Sequence, residues 1–96
     1  MILFPGIPQV MIRILLFASL KEIFGQDVIE LNVEDKNLKS VDRLLDFLVK
    51  NKQGPWVELE KKRKHIRVAV NHEIVSWNHI VKQGDDIAFL PPITGG

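Results

Sequence analysis

The stretch SVDRLLDFLVKN, Ser40–Asn51, carries the strongest helical pattern in the chain. Its apolar residues recur at the i, i+3, i+4, i+7, i+8 spacing that places side chains on one stripe of a helix. They are Val41, Leu44, Leu45, Leu48 and Val49. Ser40 is a good N-cap, and Asp42 in the first turn suits the positive end of the helix dipole. The stretch therefore predicts one helix with a single apolar face, which needs a sheet to cover it.

Strand patterns flank this helix on both sides, with apolar and polar residues in alternation. Five stretches have the pattern: MIRILLFA from Met11, DVIELNV from Asp27, HIRVAVN from His65, HEIVSW from His72 and DDIAFLPP from Asp85. In the first stretch Ile12, Ile14 and Leu16 share one parity, and Arg13, Leu15 and Phe17 share the other. We expect the second set, including Phe17, to face away from the helix.

Two shorter helical segments complete the predicted order. SLKEIFG predicts one helical turn with Ser19 and Glu22 in a capping box and Gly25 as its end, and WVELEKKRK predicts a further short helix. The main elements then follow as strand, strand, helix, strand, short strand, strand. One mixed sheet packed on one main helix predicts an α+β domain with the ubiquitin-like β-grasp arrangement.

Composition limits the function classes. The 96 residues, 46% of them hydrophobic and 26% charged, are enough for one core and too few for a core plus a large catalytic cleft. A net charge of +1 gives no field that would recruit nucleic acid or an anionic membrane. The basic run KKRKH, Lys61–His65, is either a solvated surface or a patch that docks a partner. Cysteine is absent, which is compatible with the cytoplasmic location that we expect.

The first ten residues, Met1–Val10, are apolar but are interrupted by Pro5, Gly6 and Pro8. No basic residue precedes them, as one would in a signal peptide, and they are much shorter than the ~20 residues of a membrane span. We interpret residues 1–10 as an N-terminal extension of open status and residues 11–96 as the domain. The extension is an upstream start, an added segment or a loose arm.

No catalytic or metal site is predicted inside the domain. His65, His72 and His79 recur every seven residues, but the strand assignments do not bring them together, and no carboxylate cluster completes a ligand set. Asp85 and Asp86 are adjacent before a strand, so they point to opposite faces and make a poor acid/base pair. We expect them to serve the turn.

The last stretch, FLPPITGG, Phe89–Gly96, has an unusual composition for the end of a strand. Pro91 and Pro92 fix their φ angles and stiffen the exit, whereas Gly95 and Gly96 carry no side chain. One interpretation is an ordinary frayed terminus. The other is a thread that carries a terminal carboxylate into a narrow channel of a partner, where activation, for example as an acyl-adenylate, would make it reactive.

The chain resembles a known family from Met11 to Gly96. The resemblance lies in FASLKEIFG, in VAVNHEIVSWNHIVKQGDDIAFLPPITGG and above all in the Pro-Pro-x-x-Gly-Gly ending. These stretches are similar to the small, sulfur-carrying subunits of molybdopterin synthase, in the β-grasp group of sulfur carriers that also includes the thiamine-pathway carrier.

The resemblance implies a non-catalytic carrier whose Gly96 is adenylated by an E1-like enzyme with ATP and converted to a thiocarboxylate. The tail, Pro91, Pro92, Ile93, Thr94 and Gly95 with Gly96, would then enter the large synthase subunit and give sulfur to cyclic pyranopterin monophosphate. Two donations build one molybdopterin. From the composition and motifs above we also expect no bound cofactor, no metal, no nucleic acid and no membrane.

The resemblance also implies an apolar docking surface beside the tail, at the positions of Phe17, Ile74 and Leu90. The alternative is that all three are ordinary core residues. Lys21 stands where the family commonly has arginine, and lysine cannot form the same two-pronged contact. Alternative functions are a thiamine-pathway carrier, a ubiquitin-like modifier joined to lysines, and a binding module with an inert tail.

Overall fold

The computed structural model describes residues 9–34 and 39–92 of the chain. Its strands are β1 (Gln9–Leu16), β2 (Val28–Glu34), β3 (Arg67–Val70), β4 (Glu73–Val75) and β5 (Asp86–Leu90). Its helices are α1 (Ala18–Phe24), α2 (Val41–Lys52) and α3 (Pro55–Lys61), followed by a short 3-10 helix at Arg63–His65. The predicted strands and the main helix are confirmed, and so is the α+β class.

The strands form one mixed sheet in the order β2-β1-β5-β3-β4. The hairpin of β1 and β2 is antiparallel, as are the β5–β3 and β3–β4 pairs. The central pair, β1 and β5, is parallel. Because parallel strands end at the same edge of a sheet, the chain enters α1 at Phe17 and leaves the sheet at Pro91 side by side. This pairing positions the root of the tail.

The apolar stripe of α2 is buried as predicted. Val41, Leu44, Leu45 and Leu48 have no exposed surface, while Val49 is half-buried. They share one core with the inward residues of the two central strands, namely Ile12, Ile14, Leu16, Ile87 and Phe89. The predicted cap is also confirmed, since Ser40 Oγ accepts a hydrogen bond of 3.1 Å from the backbone N–H of Arg43.

The start of α1 differs from the prediction. The helix begins at Ala18, its N-cap is Phe17, and no side chain caps it, so the predicted capping box of Ser19 and Glu22 is wrong. Phe17 still has the extended backbone of β1, and Ala18 turns the chain with a φ of 50°. The predicted end is confirmed, because Gly25 adopts a φ of 73° and its N–H donates to the carbonyl of Lys21. The turn therefore places Phe17 at the carboxyl end of β1, where the sheet ends.

Within the basic run Lys61–His65, Arg63 has a structural role as a partner of three carboxylates. Its Nη1 donates to Asp42 at 2.6 Å and its Nη2 to Asp46 at 2.9 Å, and Nη2 lies 2.8 Å from a carboxylate oxygen of Glu60. The guanidinium also lies over the ring of Trp77, 5.2 Å from its centroid. Arg63 therefore ties the 3-10 helix to α2 and to the loop after β4, through contacts that are partly shielded from solvent.

The strand β1 begins two residues before the predicted domain boundary. Gln9 pairs with Glu34 and Val10 with Val33, and Val10 is only 6% exposed. The rest of the predicted extension, residues 1–8, lies outside the described residues. In the described part, no helix has the length and apolar character needed to cross a membrane.

Candidate functional site

The root of the tail lies at the end of the sheet where the parallel strands β1 and β5 terminate. Pro91, half-buried, and Pro92, exposed, follow directly on β5. Ile93, Thr94, Gly95 and Gly96 lie outside the described residues, so their predicted roles stay predictions.

The three predicted docking residues lie close together on the face of the sheet opposite α2. Phe17 is 46% exposed, Ile74 is 56% exposed, and Leu90 is half-buried. The alternative that all three are core residues does not hold for Phe17 and Ile74. The parity argument for Phe17 is confirmed, since Arg13, the partly buried Leu15 and Phe17 alternate with the buried Ile12, Ile14 and Leu16.

An apolar belt crosses this outer face from one edge strand to the other. The register places Val28 beside Leu15, Leu15 beside Ala88, Ala88 beside Ala69, and Ala69 beside Ile74. Neighbouring side chains on one face of paired strands contact each other, so the five form a continuous row. Ala88 and Ala69 have small side chains, so the surface of the belt is recessed at these two residues.

This low point is a groove of about 260 Å³, here called the sheet groove. Its apolar lining is Leu15, Phe17, Ala69, Ile74, Ala88 and Leu90, and its polar lining is His72 and Asp86. An open groove with this lining can accept an apolar side chain from another protein.

A second groove, about 760 Å³ and here called the tail groove, lies where the tail leaves the sheet. It is lined by residues 17–19 at the start of α1, by His65 and Arg67, and by residues 90–92. Phe17 and Leu90 line both grooves. The two grooves therefore form one surface that runs from β4 to the root of the tail.

An ion pair lies in the next row of the outer face, beside the belt. Arg13 binds Asp86 through Nε at 2.8 Å and through Nη2 at 2.6 Å. Glu30 pairs with Arg13 across the β1–β2 ladder. Hydrogen bonding to Arg13 lowers the pKa of Asp86 below its usual 3.8, against an opposing effect of burial.

The Arg13–Asp86 pair predicts a pH dependence of stability. A carboxyl whose pKa is lower in the folded chain stabilises the fold above its unfolded value and loses that contribution as the pH falls through its folded value. We therefore expect the native chain to lose stability below pH 3.8 more steeply than the Arg13→Gln variant. The difference is small, because half of the Arg13 side chain is exposed.

The measurement is the urea midpoint of both proteins at several pH values between about 2 and 6. Arg43→Gln is the matched control, since Arg43 lies exposed on α2 and should follow the native profile. Equal slopes of the urea midpoint against pH for the native chain and Arg13→Gln would contradict a stabilising role of the Arg13–Asp86 pair.

Asp85 has a structural role, as predicted for this pair of carboxylates. It is only 8% exposed and accepts hydrogen bonds from Asn71 Nδ2 at 2.9 Å and from the backbone N–H of Lys82 at 2.8 Å. Asp86 points instead to Arg13. The two carboxylates thus hold a turn and a strand pair rather than one reaction centre.

The remaining sequence candidates differ in their position relative to the two grooves. Lys21 is exposed on α1, lines neither groove, and its amino group has no partner among the described residues. His65 lines the tail groove and His72 lines the sheet groove, while His79 lines neither. Within the described ranges no three His, Cys, Asp or Glu side chains are grouped in a way that could hold a metal ion.

Sequence reasoning missed part of this surface. Leu15 has the outward parity of Phe17 and could have been included. Val28 likewise has the outward parity of its own strand, whereas Ala69 and Ala88 could not be included, because their contribution depends on the pairing of β5 with β1 and β3. Nothing in the sequence marked Arg67 as a binding residue, since it is simply a polar residue at an alternating position of a strand.

The domain is similar in sequence to known proteins. The ThiS family profile matches residues 14–96. The molybdopterin synthase sulfur carrier subunit of Escherichia coli is 33% identical over 86 residues, which cover 90% of this chain and 100% of that protein.

Two solved structures share the fold. SAMP1 from Haloferax volcanii superposes with a TM-score of 0.70 at 28% identity, over 90% of this chain and 99% of that one. A chain in the complex of subunits 1 and 2 of the Helicobacter pylori molybdopterin-converting factor gives a TM-score of 0.59 at 20% identity, over 91% and 100%. The latter likeness concerns the fold alone. The predicted ubiquitin-like β-grasp fold is confirmed, and with the profile match over residues 14–96 the chain belongs to the ThiS family.

Proposed function

We propose that this chain is the sulfur carrier of a molybdopterin synthase and acts in molybdenum cofactor biosynthesis. The observation that carries the proposal is the match to the E. coli sulfur carrier subunit over the whole length of that protein. The geometry supports it, because the tail leaves the sheet next to an exposed apolar surface. A carrier needs this combination of a docking surface and a projecting terminus.

The proposed chemistry takes place at the carboxyl group of Gly96. An E1-like enzyme joins this carboxylate to AMP, and ATP loses pyrophosphate. Sulfur at the oxidation level of sulfide, supplied by that system, then displaces AMP and leaves a thiocarboxylate without any change of oxidation state. The thiocarboxylate passes its sulfur to cyclic pyranopterin monophosphate, and water restores the carboxylate of Gly96. No side chain of this chain takes part in these steps, so the chain is a substrate-like subunit and the partners supply the catalysis.

The proposed partners are the large synthase subunit and the adenylating enzyme. The relative is named as a subunit of a synthase, and a structural neighbour was solved as a complex of two subunits. We propose that Phe17, Ile74 and Leu90 contact the large subunit, together with the apolar belt, while the tail from Pro91 to Gly96 reaches its reaction centre.

A second candidate function is a ubiquitin-like protein modifier. It is favoured by the likeness to the small archaeal modifier protein SAMP1, at a TM-score of 0.70. Both functions begin with activation of the terminal carboxylate. They differ in whether the activated carboxyl group is then joined to sulfur or to the ε-amine of a lysine.

Intact mass spectrometry of the chain isolated from its own cells separates the two functions. We expect a fraction in which one sulfur replaces one oxygen, located at Gly96 by fragmentation. Treatment with iodoacetamide should alkylate only that fraction, since the chain has no cysteine. Adducts to lysines of other proteins without any thiocarboxylate would support the modifier and contradict the carrier.

A further inference from the structure

The tail groove contains two side chains that the proposed sulfur chemistry does not use, His65 and Arg67. His65 ends the 3-10 helix, and Arg67 begins β3 directly opposite Leu90. Both are exposed, and neither side chain makes a hydrogen bond or an ion pair with the described residues. They stand beside the apolar surface of Phe17 and Leu90.

Two cations of the neighbouring basic run are compensated by carboxylates. Arg63 is held by three carboxylates, and Lys61 pairs with Glu58 at 3.2 Å. On the outer face Arg13 is bound to Asp86. Arg67 lies on the same face as Arg13, yet no carboxylate lines its groove. Arg13 and Arg63 thus hold the fold, whereas Arg67 and Arg43 have no carboxylate partner among the described residues. Of these two, Arg67 lines the tail groove and Arg43 does not.

The chemistry of the groove defines what would fill it. Arg67 offers a planar fork that matches a carboxylate, and His65 can add a second donor. Phe17, Leu90 and Pro91 provide an apolar surface next to these donors. A partner surface with a carboxylate next to an apolar side chain is complementary to the two donors and to the apolar residues of the groove. The carboxylate would be shielded from water once the apolar side chain is seated.

We propose that Arg67, supported by His65, binds a carboxylate of the large synthase subunit next to an apolar side chain seated on Phe17 and Leu90. The inference rests on the proposed function and adds to it a residue that sets partner choice. The groove adjoins the surface proposed to contact that subunit, so both would be covered by one partner.

The test is the affinity of the chain for its cognate large synthase subunit, measured by calorimetry at two salt concentrations. We expect Arg67→Glu to weaken binding at least about tenfold, and Arg67→Lys to weaken it less, because lysine keeps the charge without the fork. Arg43→Glu makes the same charge change on α2, away from both grooves, and should bind as the native chain does. Arg67→Gln, which removes the charge at similar length, serves if Arg67→Glu fails to fold.

Charge exchange identifies the partner carboxylate. Acidic residues of the large subunit are changed to arginine one at a time, and one of these variants should recover the binding that Arg67→Glu has lost. Native affinity for Arg67→Glu, or no recovery with any variant, would overturn the proposal while leaving the sulfur-carrier function intact. If the native chain does not bind the large subunit at all, the proposed function fails and this inference fails with it.

Discussion

One alanine added after Gly96 should abolish molybdopterin formation in a strain that depends on this chain. The added residue turns the carboxyl group of Gly96 into an amide, which cannot be joined to AMP. It also moves the free carboxylate by ~3.3 Å along the tail and gives it a neighbouring Cβ. Displacements of this size in a reaction centre cost about a hundredfold or more in rate, so we expect activity at background.

The measurement is the molybdopterin content of the strain, read from the fluorescent oxidised form of the pterin. The matched control is the same alanine added before Met1, which should leave the content unchanged. The thermal midpoint of both purified proteins should equal that of the native chain, because neither addition replaces a residue of the described core. Molybdopterin formation above a tenth of the native level with the blocked terminus would contradict the role of Gly96.

The substitution Ile74→Asp should uncouple the chain from the large subunit without unfolding it. Ile74 is 56% exposed at the edge strand β4 and lies at one end of the apolar belt. A carboxylate there would have to lose its water to fit the proposed interface and would find an apolar lining in place of a partner, which weakens binding. We expect the dissociation constant to rise about a hundredfold.

The chain offers a matched control for this prediction in Ile80. Its exposure is 57%, nearly that of Ile74, but it lies outside the belt and lines neither the sheet groove nor the tail groove. Ile80→Asp should therefore bind within about threefold of the native chain, with a similar small change in stability. Equal weakening by the two substitutions would show that the effect is nonspecific and would contradict the docking surface.

The fold was predictable from sequence to the extent that it depends on local periodicity. The stripe of α2 and the alternation in β1 follow from side chains that are close in sequence, and both are found as expected. The capping box at Ser19 was wrong because the strand backbone extends through Phe17 and the helix starts sooner. A pattern that fits a cap does not reveal where the preceding strand ends.

The candidate site was less predictable, because it depends on how distant strands pair. The parallel contact of β1 with β5 brings Phe17 to the root of the tail, and the registers with β3 align Ala88, Ala69 and Ile74. Pairing across most of the chain length leaves no local pattern. The resemblance supplied Phe17, Ile74 and Leu90, but only the structure joined them to the alanines and to Arg67.

Transfer of labelled sulfur is the most direct test of the central claim. The chain is prepared with a radioactive sulfur atom at its terminus and mixed with the large subunit and cyclic pyranopterin monophosphate. We expect the label to move into molybdopterin while the chain returns to its carboxylate form. Label that stays on the chain, or is released only as free sulfide without labelled pterin, would contradict the central claim.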